Sequence, residues 1–329
     1  MKDKVRYIIY PGDDTLFQFL FSEAAVLSNV NICSQMFIMF DRHINSLWRK
    51  LEYHGYENTI LMKIYEVVVT MFSNVWRVIN RHEETCILLS NIAVSRIGKR
   101  NLKRLEKAPN VKLVLYLLDS ISQPNCRRAK ELMAEIKFDL VYTFDEFDSQ
   151  KYGYKHFYTM YSMTKMQKKD IQYDLIFIGT DKGRLPLLLK ISDICSEYGC
   201  NNYFDIINVK DEKLINQYKD KIVFNHILPY TETIKLTQRS NCILDIVVEQ
   251  QAGLSLRALE AICYNKRLLT NNPTIRKFPF YNEKYMKVIS KPEDINIEFI
   301  RNTEEVDYGY CGEYSPVTFL NRVQKELYD

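Results

Sequence analysis

Short apolar runs rich in β-branched residues alternate along the chain with longer stretches in which apolar positions recur every three to four residues. The first kind reads as strands buried on both faces, the second as amphipathic helices packed over them. Strands are therefore expected at 5–10, 86–90, 111–118 and 140–144, with helices at 96–107 and 126–136 between them. Residues 32–40 suit a further strand, and 41–54 a helix with Trp48 and Leu51 on its apolar side. This order argues for a parallel sheet, because parallel neighbours need a crossover connection and a helix supplies it.

A polar stretch without apolar period, 164–172, interrupts the alternation and is read as an interdomain linker. A second set then begins, with strands at 174–178, 203–209, 222–224, 242–248, 267–270 and 286–289, and helices at 185–198, 229–240 and 255–265. The tail at 316–328 is again helical in pattern. A chain of 329 residues can bury two cores of this kind.

Composition narrows the class: 47% hydrophobic and 26% charged residues describe an ordinary globular protein. A net charge of +4, with no zinc-finger spacing or basic-aromatic motif, leaves nucleic acid outside the expected partners. The eight cysteines contain no C-x-x-C pair and several sit in apolar runs, so free thiols in a reducing cytoplasm are expected. The chain enters its first strand directly, without a signal-like stretch. The most apolar long segment, 58–80, is interrupted by Lys63, Glu66 and Arg77, which argues against spanning a bilayer. It reads as a buried helix, or as one resting on a membrane with Phe72 and Trp76 toward lipid. The basic run 96–107 is either a solvated helix face or a dock for anionic headgroups.

The stretch 241–272 carries the most chemistry. A buried strand runs into a polar loop ending at Gly253, and Ser255 is placed to cap the helix that follows. Amides of Leu254, Ser255 and Leu256 would then face outward at the carboxyl end of the sheet, where an anion binds readily. At about 100° per residue Glu260 falls between Leu256 and Cys263, on the inward side of the helix. A carboxylate there needs partners. It either accepts hydrogen bonds from a ribose diol or pairs with Lys266 or Arg267 as a structural bridge. The loop 179–184 begins the second set in the same way, and there Gly179, Thr180, Lys182 and Arg184 are placed to bind and neutralise a diphosphate. Asp13 and Asp14 end the first strand, where one serves as general base or as helix N-cap. No D-x-D ends a strand, and Asp145 to Asp148 is read as a loop.

The pattern from Gly253 to Thr270, GLSLRALEAICYNKRLLT, resembles the donor segment of GT-B glycosyltransferases, and more narrowly those of bacterial lipopolysaccharide core and capsule synthesis. The resemblance implies an α/β fold of GT-B architecture: two Rossmann-like parallel-sheet domains facing across a cleft, with a final helix crossing back to the first. Residues 1–166 would bind the acceptor, 167–312 the nucleotide sugar, and 313–329 would form the returning helix. It implies that Glu260 grips the ribose, that backbone groups of Ile227 and Leu228 meet the base, and that Gly253, Leu254 and Ser255 hold the diphosphate. His226 beside them reads as a capped surface histidine. The first glutamate of the family pattern falls at Ala252. Glu249, Gln250 or Gln251 would take its place, with Glu249 joining Asp13 in catalysis and the glutamines meeting the donor sugar. Neither metal nor cofactor is implied beyond the nucleotide-sugar substrate. The acceptor would be a glycan or lipid-linked glycan, met in the cytoplasm or peripherally on the inner face of the membrane. A nucleotide-sugar epimerase of the same fold and a noncatalytic nucleotide-sugar-binding protein are the alternatives.

Overall fold

The computed structural model describes residues 5–11, 15–33, 63–64, 67, 83–165, 170–247 and 254–329. They fall into two units, Met1–Ser162 with Tyr314–Asp329, and Met163–Glu313. In the first, β1 (Arg6–Tyr10) is followed by α1 (Thr15–Leu20), a 3-10 turn at Ser22–Val26 and β2 (Val30–Ile32). Then come β3 (Thr85–Ser90), α2 (Asn91–Ile97), α3 (Lys99–Glu106), β4 (Val111–Leu117), α4 (Arg127–Met133), β5 (Leu140–Thr143), α5 (Glu146–Tyr152) and β6 (Lys155–His156). The second unit runs β7 (Tyr173–Thr180), α6 (Leu185–Glu197), β8 (Asn202–Ile207), α7 (Glu212–Tyr218), β9 (Val223–Phe224), α8 (Tyr230–Gln238) and β10 (Ser240–Asp245). It continues with α9 (Leu256–Cys263), β11 (Arg267–Thr270), β12 (Met286–Val288) and α10 (Ile297–Arg301), after which α11 (Pro316–Tyr328) belongs again to the first unit.

Each unit is built on a six-stranded sheet, ordered β2-β1-β3-β4-β5-β6 in the first and β12-β11-β10-β7-β8-β9 in the second. All neighbours are parallel. These are two parallel-sheet α/β units of the kind expected of a GT-B fold, and the final helix belongs to the first of them.

Alternation along the strands sorts the side chains. In the first unit Ile8, Ile87, Leu89, Leu113 and Leu115 share a core with Val94 and Ile97 of α2, Leu102 and Leu105 of α3, and Leu132 of α4. The intervening Tyr7, Tyr116 and Tyr142 are also buried. There α11 inserts Phe319, its ring 5.3 Å from Tyr116, 4.8 Å from Tyr142 and 4.9 Å from Phe157, and Tyr7 donates to Gln324 Oε1 at 3.3 Å. In the second unit Leu175, Phe177, Phe204, Ile206, Cys242 and Leu244 pack with Leu185, Leu188 and Ile191 of α6 and Phe299 and Ile300 of α10.

Several expectations change. The basic stretch is two helices, broken where Gly98 takes φ 82°, and Ser90 caps α2 by accepting from Ala93 N at 3.0 Å. Asp145 to Asp148 is not a loop: Asp145 Oδ1 accepts from the amides of Phe147 at 2.8 Å and Asp148 at 3.1 Å and so starts α5. Helix α7 was not expected because it contains no fully buried residue, which leaves its apolar period weak. The segments 41–54 and nearly all of 58–80 lie outside the described residues. Among the described residues no helix is long and apolar enough to cross a membrane.

Deleting the Phe319 ring leaves a cavity between three aromatic side chains. Phe319→Ala should lower the unfolding free energy of the first unit by ~3–5 kcal/mol, measured by denaturant titration.

Candidate functional site

The second sheet has a switch point between β7 and β10. The chain starts at β7, steps outward to β8 and β9, then returns to β10 on the other side of β7. Crossovers leave such a pair in opposite directions, so a crevice opens beyond their carboxyl ends, and ligands of open α/β sheets bind there. Gly179 and Thr180 end β7 and Asp245 ends β10, with Ser255 and α9 following.

Arg184 ties these strand ends together. Its guanidinium donates through Nη1 to the carbonyl of Ile246, through Nη2 to that of Thr180 at 2.6 Å, and through Nε to that of Asp181 at 3.2 Å. It lies over the Phe177 ring, 5.2 Å from the centroid. The side chain crosses where Gly179 has no Cβ: a methyl there would stand 3.3 Å from the Phe177 ring and 3.4 Å from Arg184 Nη2. Asp181 closes the turn by accepting from Leu185 N at 2.8 Å, and Lys182 and Gly183 both take positive φ, 47° and 82°. Lys182 is left exposed at the turn. The two cations expected to act alike are therefore placed differently. Arg184 holds the frame, half-buried, while Lys182 extends into solvent.

Asp245 was not anticipated. It is buried, accepting from Thr270 Oγ1 at 3.1 Å and from the Ser255 hydroxyl. Burial raises its carboxyl above the usual range, while the Ser255 and Thr270 hydroxyls and the charges of Arg184 and Arg257 oppose the rise. Burial likewise lowers the Arg184 guanidinium; Asp245 and Asp181 counter this, and Arg257 adds like-charge repulsion. Ser255 also caps α9 by accepting from Ala258 N at 3.0 Å. One hydroxyl thus links the helix start to the carboxylate below it. An aspartate at the end of an apolar strand was the available signal, but its significance depends on arginines 61 residues before and 12 after it, which sequence spacing does not connect.

Glu260 is inward, as its phase on the helix implied, with no exposed surface. Its partners are neither Lys266 nor Arg267. Oε1 accepts from the Tyr230 hydroxyl at 2.6 Å, and Oε2 from Thr237 Oγ1 at 3.4 Å and from Arg257 Nη1. Lys266 instead donates to the carbonyl of Gln238 at 2.8 Å and Arg267 to that of Glu304 at 3.0 Å. Of the other expected groups, Leu254 is buried, Ile227 is 80% exposed and Leu228 half-buried. His226 lies with Nδ1 3.6 Å from Oδ2 of the buried Asp205, whose carboxyl is raised by burial against the opposing pull of His226. Asp13, Glu249, Gln250, Gln251 and Gly253 lie outside the described residues.

No family model matches the sequence, and neither does any curated protein. Solved structures do share the fold. The UDP-N-acetylglucosamine 2-epimerase of Rickettsia bellii matches with a TM-score of 0.51 and 16% identity, over 98% of this chain and 96% of that one. Anabaena Alr3699/HepE, in complex with UDP and glucose, matches with a TM-score of 0.54 and 11% identity, over 98% and 99%. A further UDP-N-acetylglucosamine 2-epimerase matches with a TM-score of 0.55 and 12% identity, over 98% and 96%. At these identities the likeness is one of fold.

Lys266 offers a pH test of this packing. Burial pushes its amine down to about 8, below the unfolded value of ~10.4. Below pH 8 folding buries a charge that the unfolded chain solvates, and this penalty is relieved as pH climbs from 8 toward 10. Lys266→Met should therefore be more stable than wild type by about 2 kcal/mol at pH 7, after subtracting the lost hydrogen bond. The advantage should shrink to nothing or reverse by pH 10.5, as read from denaturation curves across that range. Burial shifts the thiols of Cys242 and Cys195 the other way, and their effect cancels in the comparison.

Proposed function

We propose that the second unit binds a nucleotide-diphosphate sugar at the β7/β10 switch point, and that the protein transfers the sugar to a glycan acceptor held by the first unit. The observation that carries this reading is the pairing of Arg184 and Arg257 beside the Ser255-capped start of α9, in a fold shared with a protein that binds UDP and glucose. The diphosphate would lie against the helix start, where cationic groups and amides offset the charge that grows on the leaving group. Asp13 and Glu249 remain the proposed catalytic pair, and Gln250 and Gln251 the proposed sugar contacts, on sequence grounds. Transfer is favoured by the resemblance of Gly253 to Thr270 to a transferase donor segment. The same resemblance suggests bacterial surface polysaccharide as the product.

Epimerisation is the second reading, favoured by the names of two of the fold relatives. Incubation with a panel of UDP-, dTDP- and GDP-sugars, followed by NMR, separates the two. Slow release of free nucleoside diphosphate is the expected outcome. An isomerised nucleotide sugar without release would replace transfer by epimerisation, and no change in any donor would remove both.

A lipid-linked acceptor is proposed from α3 and the residue after it, where Arg100, Lys103 and Lys107 are exposed on one side while Asn101, Leu102 and Leu105 are buried. Lys99 is held by Glu135 and contributes less. Basic residues at an anionic surface contribute ~1 kcal/mol each and are screened by salt. The protein should sediment with phosphatidylglycerol vesicles at low salt and be released at high salt, and Arg100→Glu with Lys103→Glu should abolish sedimentation. A wild-type protein that stays in solution at low salt would leave α3 as a solvated face.

A further inference from the structure

We infer that Arg257 is the side chain that engages the phosphate groups of the donor, and that Glu260, with Tyr230 and Thr237 behind it, is a positioning residue for that arginine rather than a ribose ligand. The inference rests on the nucleotide-diphosphate reading above and changes what the residues of that site do.

Glu260 has no surface to offer a ligand. Its carboxylate is fully buried, and both oxygens are engaged by groups of two helices: Tyr230 and Thr237 from α8, Arg257 from its own helix one turn earlier. A ribose diol would have to reach a carboxylate that has no solvent access and already accepts three hydrogen bonds. Arg257 stands at the boundary instead: its side chain keeps 19% of its surface exposed while its carboxylate partner keeps none. The pair is thus oriented, with the anion inside and the cation at the surface.

The position of Arg257 in the first turn of α9 adds to this. A cation there opposes the helix dipole, which favours negative charge at that end. Arg184 lies close enough for repulsion, and it cannot withdraw because three backbone carbonyls hold its guanidinium. Two guanidiniums and a helix N-terminus are therefore held close together, with the buried Asp245 near both arginines, Glu260 paired to Arg257 and Asp181 beside Arg184 as counter-charges. A dianionic diphosphate satisfies all three. The planar fork of arginine suits phosphate oxygens, and the Glu260 carboxylate fixes that fork before the ligand arrives. Lys182, an exposed point charge on the opposite loop, lacks such support.

The test uses UDP, dTDP, GDP, CDP and ADP to find the preferred diphosphate, then compares it with its nucleoside on wild type, Arg257→Lys, Glu260→Gln and Tyr230→Phe, by calorimetry and ligand-observed NMR. Arg257→Lys and Glu260→Gln should each weaken the diphosphate by about tenfold or more, the scale of a lost charged hydrogen bond, and leave the nucleoside within about twofold. The double variant should be little worse than either single one, because both act through one contact. Tyr230→Phe changes no residue of α9 and removes one hydroxyl from Glu260, so it should give a smaller loss of the same kind even where Glu260→Gln folds poorly. Equal losses for diphosphate and nucleoside in Glu260→Gln, absent when the ribose is 2′-deoxy, would restore Glu260 as the ribose ligand and overturn the inference. Unchanged diphosphate affinity in Arg257→Lys would overturn it while the nucleotide-sugar reading stands. A wild-type protein that binds none of the five nucleotides would take both down together.

Discussion

A carboxylate with no exposed surface is the constraint around which the second unit's site is arranged. Ionised Glu260 costs several kcal/mol to bury unless its oxygens are hydrogen-bonded and its charge is paired. The chain meets that demand with Tyr230 and Thr237 on α8 and Arg257 on α9. The two helices are thereby tied in one relative register, since sliding either would strand the charge. The first turn of α9, where Ser255 caps the helix and Arg257 projects, inherits that rigidity.

A second polar linkage joins the strand ends of the same unit. Arg184 joins the ends of β7 and β10, and Asp245 joins β10 to β11 through Thr270 and to α9 through Ser255. Carbonyls at the end of a sheet would otherwise point into the crevice and repel an anion. With Thr180, Asp181 and Ile246 each accepting from a guanidinium, that edge loses its negative character. Gly179 leaves room for this, because a Cβ there would stand 3.3 Å from the Phe177 ring and 3.4 Å from Arg184 Nη2. Frame and electrostatics are thus the same set of contacts.

The first unit solves a different problem. Its sheet presents tyrosines on one face, and their rings need cover while their hydroxyls need partners. The final helix provides both, with Phe319 among the rings and Gln324 accepting from Tyr7. Tyr116 finds its own acceptor in the carbonyl of Tyr158 at 3.0 Å. A chain segment more than 150 residues away from β5 and β6 therefore completes their layer, which is why the last residues belong to the first unit.

The parallel sheets were legible because strands buried on both faces leave mostly apolar runs, and β4 was read to within one residue of its limits for that reason. The start of α9 was legible too: a serine cap, an amphipathic period and an inward glutamate are local facts of the 100° helical step. Short elements such as β6 and α7 were harder, because a two-residue strand and a half-buried helix carry little periodic signal. What the sequence left undecided at the site was the choice of partners. Glu260 had cations at 266 and 267 within easy reach along the chain, yet the fold gave it Arg257 on its own helix and hydroxyls 30 and 23 residues earlier. Arg184 looked like a free phosphate ligand until β10 came alongside β7 and offered it the carbonyl of Ile246, 62 residues away. Local periodicity determines which face of an element is buried. Only the packing of one element on another decides which polar groups meet there, since that depends on distances the chain acquires when it folds.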